Sequence, residues 1–264
     1  MLPEMTGTPT KQWRNSQAFD GIIFDCDGTL TAVEGIDELA RFTGVEKEVE
    51  QLTLLAMEQG QMNCNLYQKR LQLVQPTQRH IQQLSTLYCT HVMNHAKETI
   101  EILQQLGKSV FIVSAGLTPA VVALAKQLEV PEEQVFAVGI TFDENGQYRD
   151  FDKQSPLINT GGKVEIIKQC LAQHQHLALI GDGMNDLSAA SYVSRFIGFG
   201  GAFIRARVRE KASYYLPVDD LCGVLPLLLT PEEIKSLPAP QQQLCQRGVN
   251  YIEQGETLVP RRKE

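Results

Sequence analysis

The segment Gly21-Ile22-Ile23-Phe24-Asp25-Cys26-Asp27-Gly28-Thr29 confines the choice of fold. A short apolar run breaks off into two carboxylates one residue apart, followed by Gly and Thr. Such a run suits a strand buried on both faces, as in parallel sheets covered by helices. Side chains alternate along a strand, so Asp25 and Asp27 point the same way. They would lie at its C-terminal edge, where open α/β sheets bind ligands. Two converging acids suit a hard cation, and one could also act as a nucleophile. An acidic turn closing a buried strand would give the same pattern, because turns are rich in Asp and Gly. The remaining strand ends bear on that choice.

Three more apolar runs stop at small or polar residues. Ser109 to Val113 leads into Ser114-Ala115-Gly116. Leu177 to Ile180 leads into Gly181-Asp182-Gly183-Met184-Asn185-Asp186. Arg195 to Phe199 leads into Gly200-Gly201. Between them the periodicity is helical. Ile36 to Phe42 is stopped by Gly44, and a second helix runs from Lys47 to Gln59. A third, Leu66 to Leu73, ends at Gln75-Pro76, and Thr77 caps a fourth that reaches His91. Thr118-Pro119 opens another helix, with the threonine as cap, and Lys163 to Gln173 is helical. Val135 to Phe142 reads as one strand, turned by Asp143 to Gly146 into a hairpin with Gln147 to Phe151. Asp143 to Asn145 lacks the later ligands of a calcium loop, so the hairpin turn is preferred.

Strands alternating with helices predict an α/β protein with a doubly wound, mainly parallel, Rossmann-like sheet. The helical stretch after the first strand is too long for a crossover and reads as an inserted helical cap. The expected division is an irregular arm over 1–18, a catalytic core over 19–34 and 108–230, a cap over 35–107 and a C-terminal extension over 231–264. Pro238 to Gln243 marks a break before a polar tail. Lys235, Arg247 and Arg261 to Lys263 read as a solvated face or tail.

The net charge of -7 gives no nucleic-acid footprint. It also means that an anionic substrate would need local Lys or Arg. No apolar stretch is long enough for a membrane helix, and Met1 to Ser16 has no apolar signal core. The cysteines at 26, 64, 89, 170, 222 and 245 form no Cys-x-x-Cys pair, so a reduced cytoplasmic setting is expected. Cys26 should face away from the two acids and act as a small core residue. His91 and His95 have i, i+4 spacing, but no acid or cysteine is expected to complete a metal site with them, so surface or packing roles are expected for them. Whether the protein is a monomer or a homodimer stays open.

In such a sheet Asp25 and Asp27, Ser114, and Asp182 with Asp186 converge, while Lys163 opens a helix after Gly161-Gly162. Two acid pairs, a hydroxyl and a lysine form a kit for phosphoryl transfer. Mg²⁺ held by oxygens would offset phosphate charge. Asp25 would attack phosphorus and become an aspartyl phosphate. Lys163, the Ser114 hydroxyl and nearby backbone N–H groups would hold the phosphoryl oxygens. Asp27 would protonate the leaving oxygen and then activate water.

Phe24-Asp25-x-Asp27-Gly28-Thr29-Leu30-Thr31, Val113-Ser114, Gly162-Lys163 and Gly181-Asp182-Gly183-x-Asn185-Asp186 together resemble the haloacid dehalogenase superfamily of phosphatases. Within it the resemblance is to the phosphoserine phosphatase family. Glu34-Gly35-Ile36-Asp37-Glu38-Leu39-Ala40, Arg70-Leu71, Gln75-Pro76, Thr160-Gly161-Gly162-Lys163 and Phe196 to Gly201 with Ile204-Arg205 extend it. It runs from about Phe19 to about Leu227. The resemblance implies Mg²⁺ on Asp25, the Asp27 backbone carbonyl and Asp182. It implies phosphate contacts from Ser114, Ala115, Gly116, Lys163 and Asn185. It implies Glu34 on a substrate ammonium, Arg70 on its carboxylate, and Met57 lining the pocket. The implied reaction is hydrolysis of O-phospho-L-serine, a small phosphomonoester, as the last step of serine biosynthesis. Ala115, Glu58 and Asn63 stand where the family carries glycine, glycine and an aromatic residue, which bears on substrate identity. Phosphoethanolamine, phosphocholine, or transfer to an alcohol such as homoserine are the alternatives. A choline substrate would call for an aromatic cage.

Overall fold

The computed structural model describes residues 13–58 and 64–259. Its main sheet has six parallel strands in the order β3-β2-β1-β6-β7-β8. These are β1 (Gly21–Phe24), β2 (Ser109–Leu117), β3 (Val135–Val138), β6 (Leu177–Gly181), β7 (Arg195–Phe199) and β8 (Tyr214–Leu216). β4 (Ile140–Phe142) and β5 (Tyr148–Phe151) form a separate antiparallel hairpin. Every residue of β1 and β6 is buried, the signature of strands covered on both faces. The chain leaves β1 to one side for β2 and β3, then returns to β6 on the other. That reversal opens a crevice at the C-terminal end of β1.

The helices are α1 (Gly35–Thr43), α2 (Glu46–Glu58), α3 (Cys64–Val74), α4 (Gln78–Thr90), α5 (Ala96–Gln105) and α6 (Thr118–Gln127), then α7 (Gly162–Leu171), α8 (Met184–Ala189), α9 (Ala206–Lys211), α10 (Leu225–Leu228), α11 (Pro231–Ser236) and α12 (Ala239–Glu253). α1 to α3 pack on one another, α4 packs chiefly on α6, and α5 lies against β2 and residues 221–224. Thr77 caps α4, its hydroxyl accepting from the His80 backbone N–H while His80 Nδ1 accepts from Thr77 N–H.

Several details differ from the sequence expectation. Val135 to Phe142 is two strands. The run breaks at Gly139, so β3 stays in the main sheet while β4 turns into the hairpin. Asp143 Oδ1 accepts from the N–H groups of Asn145 and Gln147, so this carboxylate serves the hairpin turn. Leu117, not Thr118, is the N-cap of α6. Pro238 to Gln243 does not break the chain before a tail. Pro238 is the N-cap of α12, and its proline and that at 240 sit where a helix tolerates them. Cys245, Val249 and Ile252 of α12 are buried.

Asp220 fastens α12. Its oxygens accept from Tyr251 Oη at 2.8 Å and the Cys222 N–H at 3.1 Å, and pair with His95 Nδ1 at 2.9 Å and Arg247 Nε at 2.8 Å. His95 therefore has an acid and Cys222 beside it, brought from far along the chain. With a guanidinium already on that carboxylate, the cluster reads as a structural joint. Lys108 ties α11 down, donating to Phe19 O and pairing with Glu233. Arg195 Nη1 ties the N-terminal segment to α10, donating to the carbonyls of Trp13 and Leu227. All six cysteines are free thiols, and Cys26 is buried in the core. No helix among the described residues is long and apolar enough to cross a membrane.

Candidate active site

Asp25 follows directly on β1 and sits at the mouth of the crevice, its backbone N–H bonded to Ile180 O. Its Oδ1 accepts from the Cys26 N–H at 2.7 Å and from Lys163 Nζ at 2.8 Å. Lys163, in the first turn of α7, also reaches Asp186 Oδ1 at 2.5 Å. Asp186, in the first turn of α8, accepts the Gly183 N–H through its other oxygen. Ligand oxygens of Asp25, Asp182 and Asp186 lie within 4.8 Å of one another. Gly28 is what lets the chain turn here. Its φ is +71°, and a Cβ would lie 2.6 Å from Asp182 Oδ2.

Asp27 lies beside this cluster. Its Oδ2 accepts from the Gly35 N–H at 2.8 Å and its Oδ1 from Tyr88 Oη at 2.6 Å. Ser114 is buried where the β2 register slips, and its Oγ accepts the Gly116 N–H at 2.9 Å. Arg205 forms a second ionic bridge, with Nε on Asp182 Oδ2 at 2.6 Å and Nη2 on Glu34 Oε1. Arg70 is buried on α3, within electrostatic reach of Asp37 and Glu34. Tyr67, one helical turn before it, donates to Ala115 O at 2.9 Å and stacks obliquely on Phe151. Asn185 is half-buried on the first turn of α8. The side chains of Met57 and Glu58 and the whole of Asn63 lie outside the described residues.

Burial governs the charge states. It raises Asp27 to about 6, against the pull of the Tyr88 and Gly35 hydrogen bonds. Burial and the neighbouring acids raise Glu34 to about 8, opposed by Arg205. Burial and the Asp25 charge push Asp182 and Asp186 upward. Burial would lower Lys163, but Asp186 and Asp25 outweigh it and hold its ammonium above the usual range.

The sequence pattern of the haloacid dehalogenase-like hydrolases matches residues 19–193. The chain belongs to that family. Among its relatives is the phosphoserine phosphatase of Bos taurus, 36% identical over 75% of this chain and 88% of the relative. The Homo sapiens phosphoserine phosphatase matches equally, and that of Drosophila melanogaster is 32% identical over 74% of this chain and 73% of its own. Among solved structures, a phospho-aspartyl intermediate analogue of phosphoserine phosphatase superposes with a TM-score of 0.68. It is 27% identical and covers 81% of this chain and 100% of its own. A phosphoserine phosphohydrolase-like protein from Francisella tularensis gives 0.70 at 25% identity, over 80% and 100%.

The acid cluster of this hydrolase suits a hard cation. Three carboxylates share one ammonium and one guanidinium, and burial already penalises their charge. All three offer oxygen, the ligand that a small divalent ion prefers. Three contacts escaped sequence reasoning: Tyr88 on Asp27, Tyr67 on Ala115, and Arg205 between Asp182 and Glu34. Tyr67 and Tyr88 carry only the periodicity of core aromatics. Arg205 showed in the sequence as part of a motif, without its partners.

Proposed function

We propose that this chain is a Mg²⁺-dependent phosphomonoesterase that hydrolyses O-phospho-L-serine to L-serine and phosphate. The observation that carries the reading is Lys163, buried between Asp25 and Asp186, with Asp27 two residues on from Asp25 and anchored at both oxygens. The phosphoserine phosphatases among the relatives support the substrate.

Asp25 attacks phosphorus, and the P–O bond to the serine side chain breaks. The departing oxygen takes a proton from Asp27, whose raised affinity keeps that proton available. Water then gives a proton to Asp27 and attacks the aspartyl phosphate, freeing phosphate and restoring Asp25. Lys163, Ser114, Asn185 and the backbone N–H groups of Ala115 and Gly116 hold the phosphoryl oxygens. Asp25 and Asp182, with the Asp27 carbonyl, would hold Mg²⁺, which supplies charge neutralisation at the phosphoryl group.

The same reading takes Glu34 to the substrate ammonium, Arg70 to its carboxylate and Met57 to the pocket wall. The ammonium would take the place of the Arg205 guanidinium at Glu34. Residues 19–34 and 108–230 form the core in this reading. Residues 35–107, with α1 to α5, form the cap, and 231–264 is an extension. A cytoplasmic location is part of the proposal.

The test is phosphate release with Mg²⁺ from phosphoserine, phosphothreonine, phosphoethanolamine and phosphocholine, measured side by side. A preference for phosphoserine of about 100-fold or more in kcat/KM over the two amino alcohol esters supports the reading. Comparable use of all four, or a preference for an ester lacking the carboxylate, would overturn the assignment of Arg70 and of the substrate.

A further inference from the structure

The Asp27 carboxylate is held at both oxygens by groups outside the segment Asp25–Asp27 that leaves β1. Gly35 N–H takes Oδ2 and the Tyr88 hydroxyl takes Oδ1. Tyr88 is fully buried on α4, more than sixty residues further along the chain.

The segment carrying Tyr88 is laced to the loop after Asp27. Thr31 Oγ1 donates to the carbonyls of Tyr88 and His91, at 3.3 and 3.1 Å. Ala32 N–H donates to His91 O at 2.9 Å, and Met93 N–H to Leu30 O at 3.0 Å. The tyrosine is thus registered to the same loop as the acid it touches. Space has been kept for it as well. A Cβ at Gly35 would stand 2.3 Å from the Tyr88 hydroxyl, so any larger residue there would push the phenol off Asp27.

We propose that Tyr88 is a positioning residue for the reaction, fixing the orientation in which Asp27 gives its proton to the leaving oxygen and takes one from water. This inference rests on the phosphatase reading above. Core filling alone could be done by phenylalanine, which has the same shape and brings no buried hydroxyl that must find an acceptor. A carboxylate pinned at both oxygens cannot rotate about its terminal bond, so its proton is delivered in one direction.

The decisive variant is Tyr88→Phe, read by rapid-quench single turnover on two substrates. Phosphoserine leaves as a poor alkoxide and needs Asp27 as acid. p-Nitrophenyl phosphate leaves as a stable phenolate and does not. Phosphorylation of the enzyme by phosphoserine should slow about tenfold, a part of what general acid catalysis supplies. Phosphorylation by p-nitrophenyl phosphate should change less than about twofold by the same reasoning. KM for phosphoserine should stay near that of the wild type. Gly35→Ala, whose Cβ would crowd the Tyr88 hydroxyl at 2.3 Å and Asp27 Oδ2 at 3.1 Å, loosens the same carboxylate and should reproduce the pattern if Tyr88→Phe does not fold. Equal slowing on both substrates, unchanged rates, or a rise in KM alone would overturn the proposal. A wild-type protein that turned over neither substrate would instead refute the phosphatase reading.

Discussion

At the strand ends Lys163, its side chain 4% exposed, joins two carboxylates, while toward the cap Arg205, 36% exposed, joins two others. The two bridges look alike and behave differently. Lys163 cannot be withdrawn without leaving Asp25 and Asp186 buried and uncompensated. Arg205 can keep Nε on the buried Asp182 and give up Glu34 at modest cost, because that half-exposed pair contributes little. The strand end is therefore a fixed charge network set by sheet register. The other end is an exchangeable one, set by side chains at the N-caps of α1 and α9. In the proposed function the first serves chemistry and the second substrate choice.

The largest effect should come from the fixed end. Lys163→Met should reduce turnover by about 10² or more, as loss of a charge-stabilising donor does. It should also cost about 3–5 kcal/mol of stability, the usual result of breaking a buried pair. Thermal denaturation and phosphate release check both. A variant with near-wild-type stability would mean that Lys163 is not the compensating charge.

Next comes Arg70→Ala at the exchangeable end. KM for phosphoserine should rise about tenfold or more, the value of a charge-assisted hydrogen bond, with kcat less affected. KM for p-nitrophenyl phosphate should hardly move. Equal losses on both would remove Arg70 from carboxylate recognition.

A smaller effect is expected from pH. Burial raises Glu34 to about 8, so its carboxyl keeps its proton over more of the neutral range than an exposed acid. Only the ionised form pairs with an ammonium. KM for phosphoserine should therefore fall as pH rises from about 7 through 8, while KM for p-nitrophenyl phosphate should show no matching fall. A Glu34→Gln variant should lose that pH difference. Its persistence would assign the titration to another group.

The smallest change should follow Tyr67→Phe, which removes the bond to Ala115 O. It should cost about 1 kcal/mol, seen as a several-fold rise in KM for phosphoserine. No change would mean that this cap-to-core contact does not help closure.

The same division explains what was legible in the sequence. β1, β6 and β7 could be found because each apolar run ends abruptly in Asp or Gly. β8 could not, since three residues before Pro217 carry no period. The split at Gly139 was hidden in an unbroken apolar stretch. α12 was misread because its Pro- and Gln-rich start looks like a linker, while Cys245, Val249 and Ile252 show their spacing only once the helix is granted. Within the site, Asp25, Asp27 and Asp182 stood out because charge at the end of an apolar strand is conspicuous, while Lys163 and Asp186, each in the first turn of a helix, stood out only in company with them. The contacts of Tyr88, Tyr67 and Arg205 were not visible, because a hydroxyl or guanidinium gains its meaning only from a partner brought from elsewhere in the chain.

The most direct measurement is to mix the protein with Mg²⁺ and ³²P-labelled phosphoserine, quench in acid within the first turnover, and map the label. The wild type should carry an acid-stable, hydroxylamine-labile label on the peptide containing Asp25, and Asp25→Asn should carry none and release no phosphate. Phosphate release without any label on that peptide, or undiminished release by Asp25→Asn, would contradict a nucleophile at the end of β1.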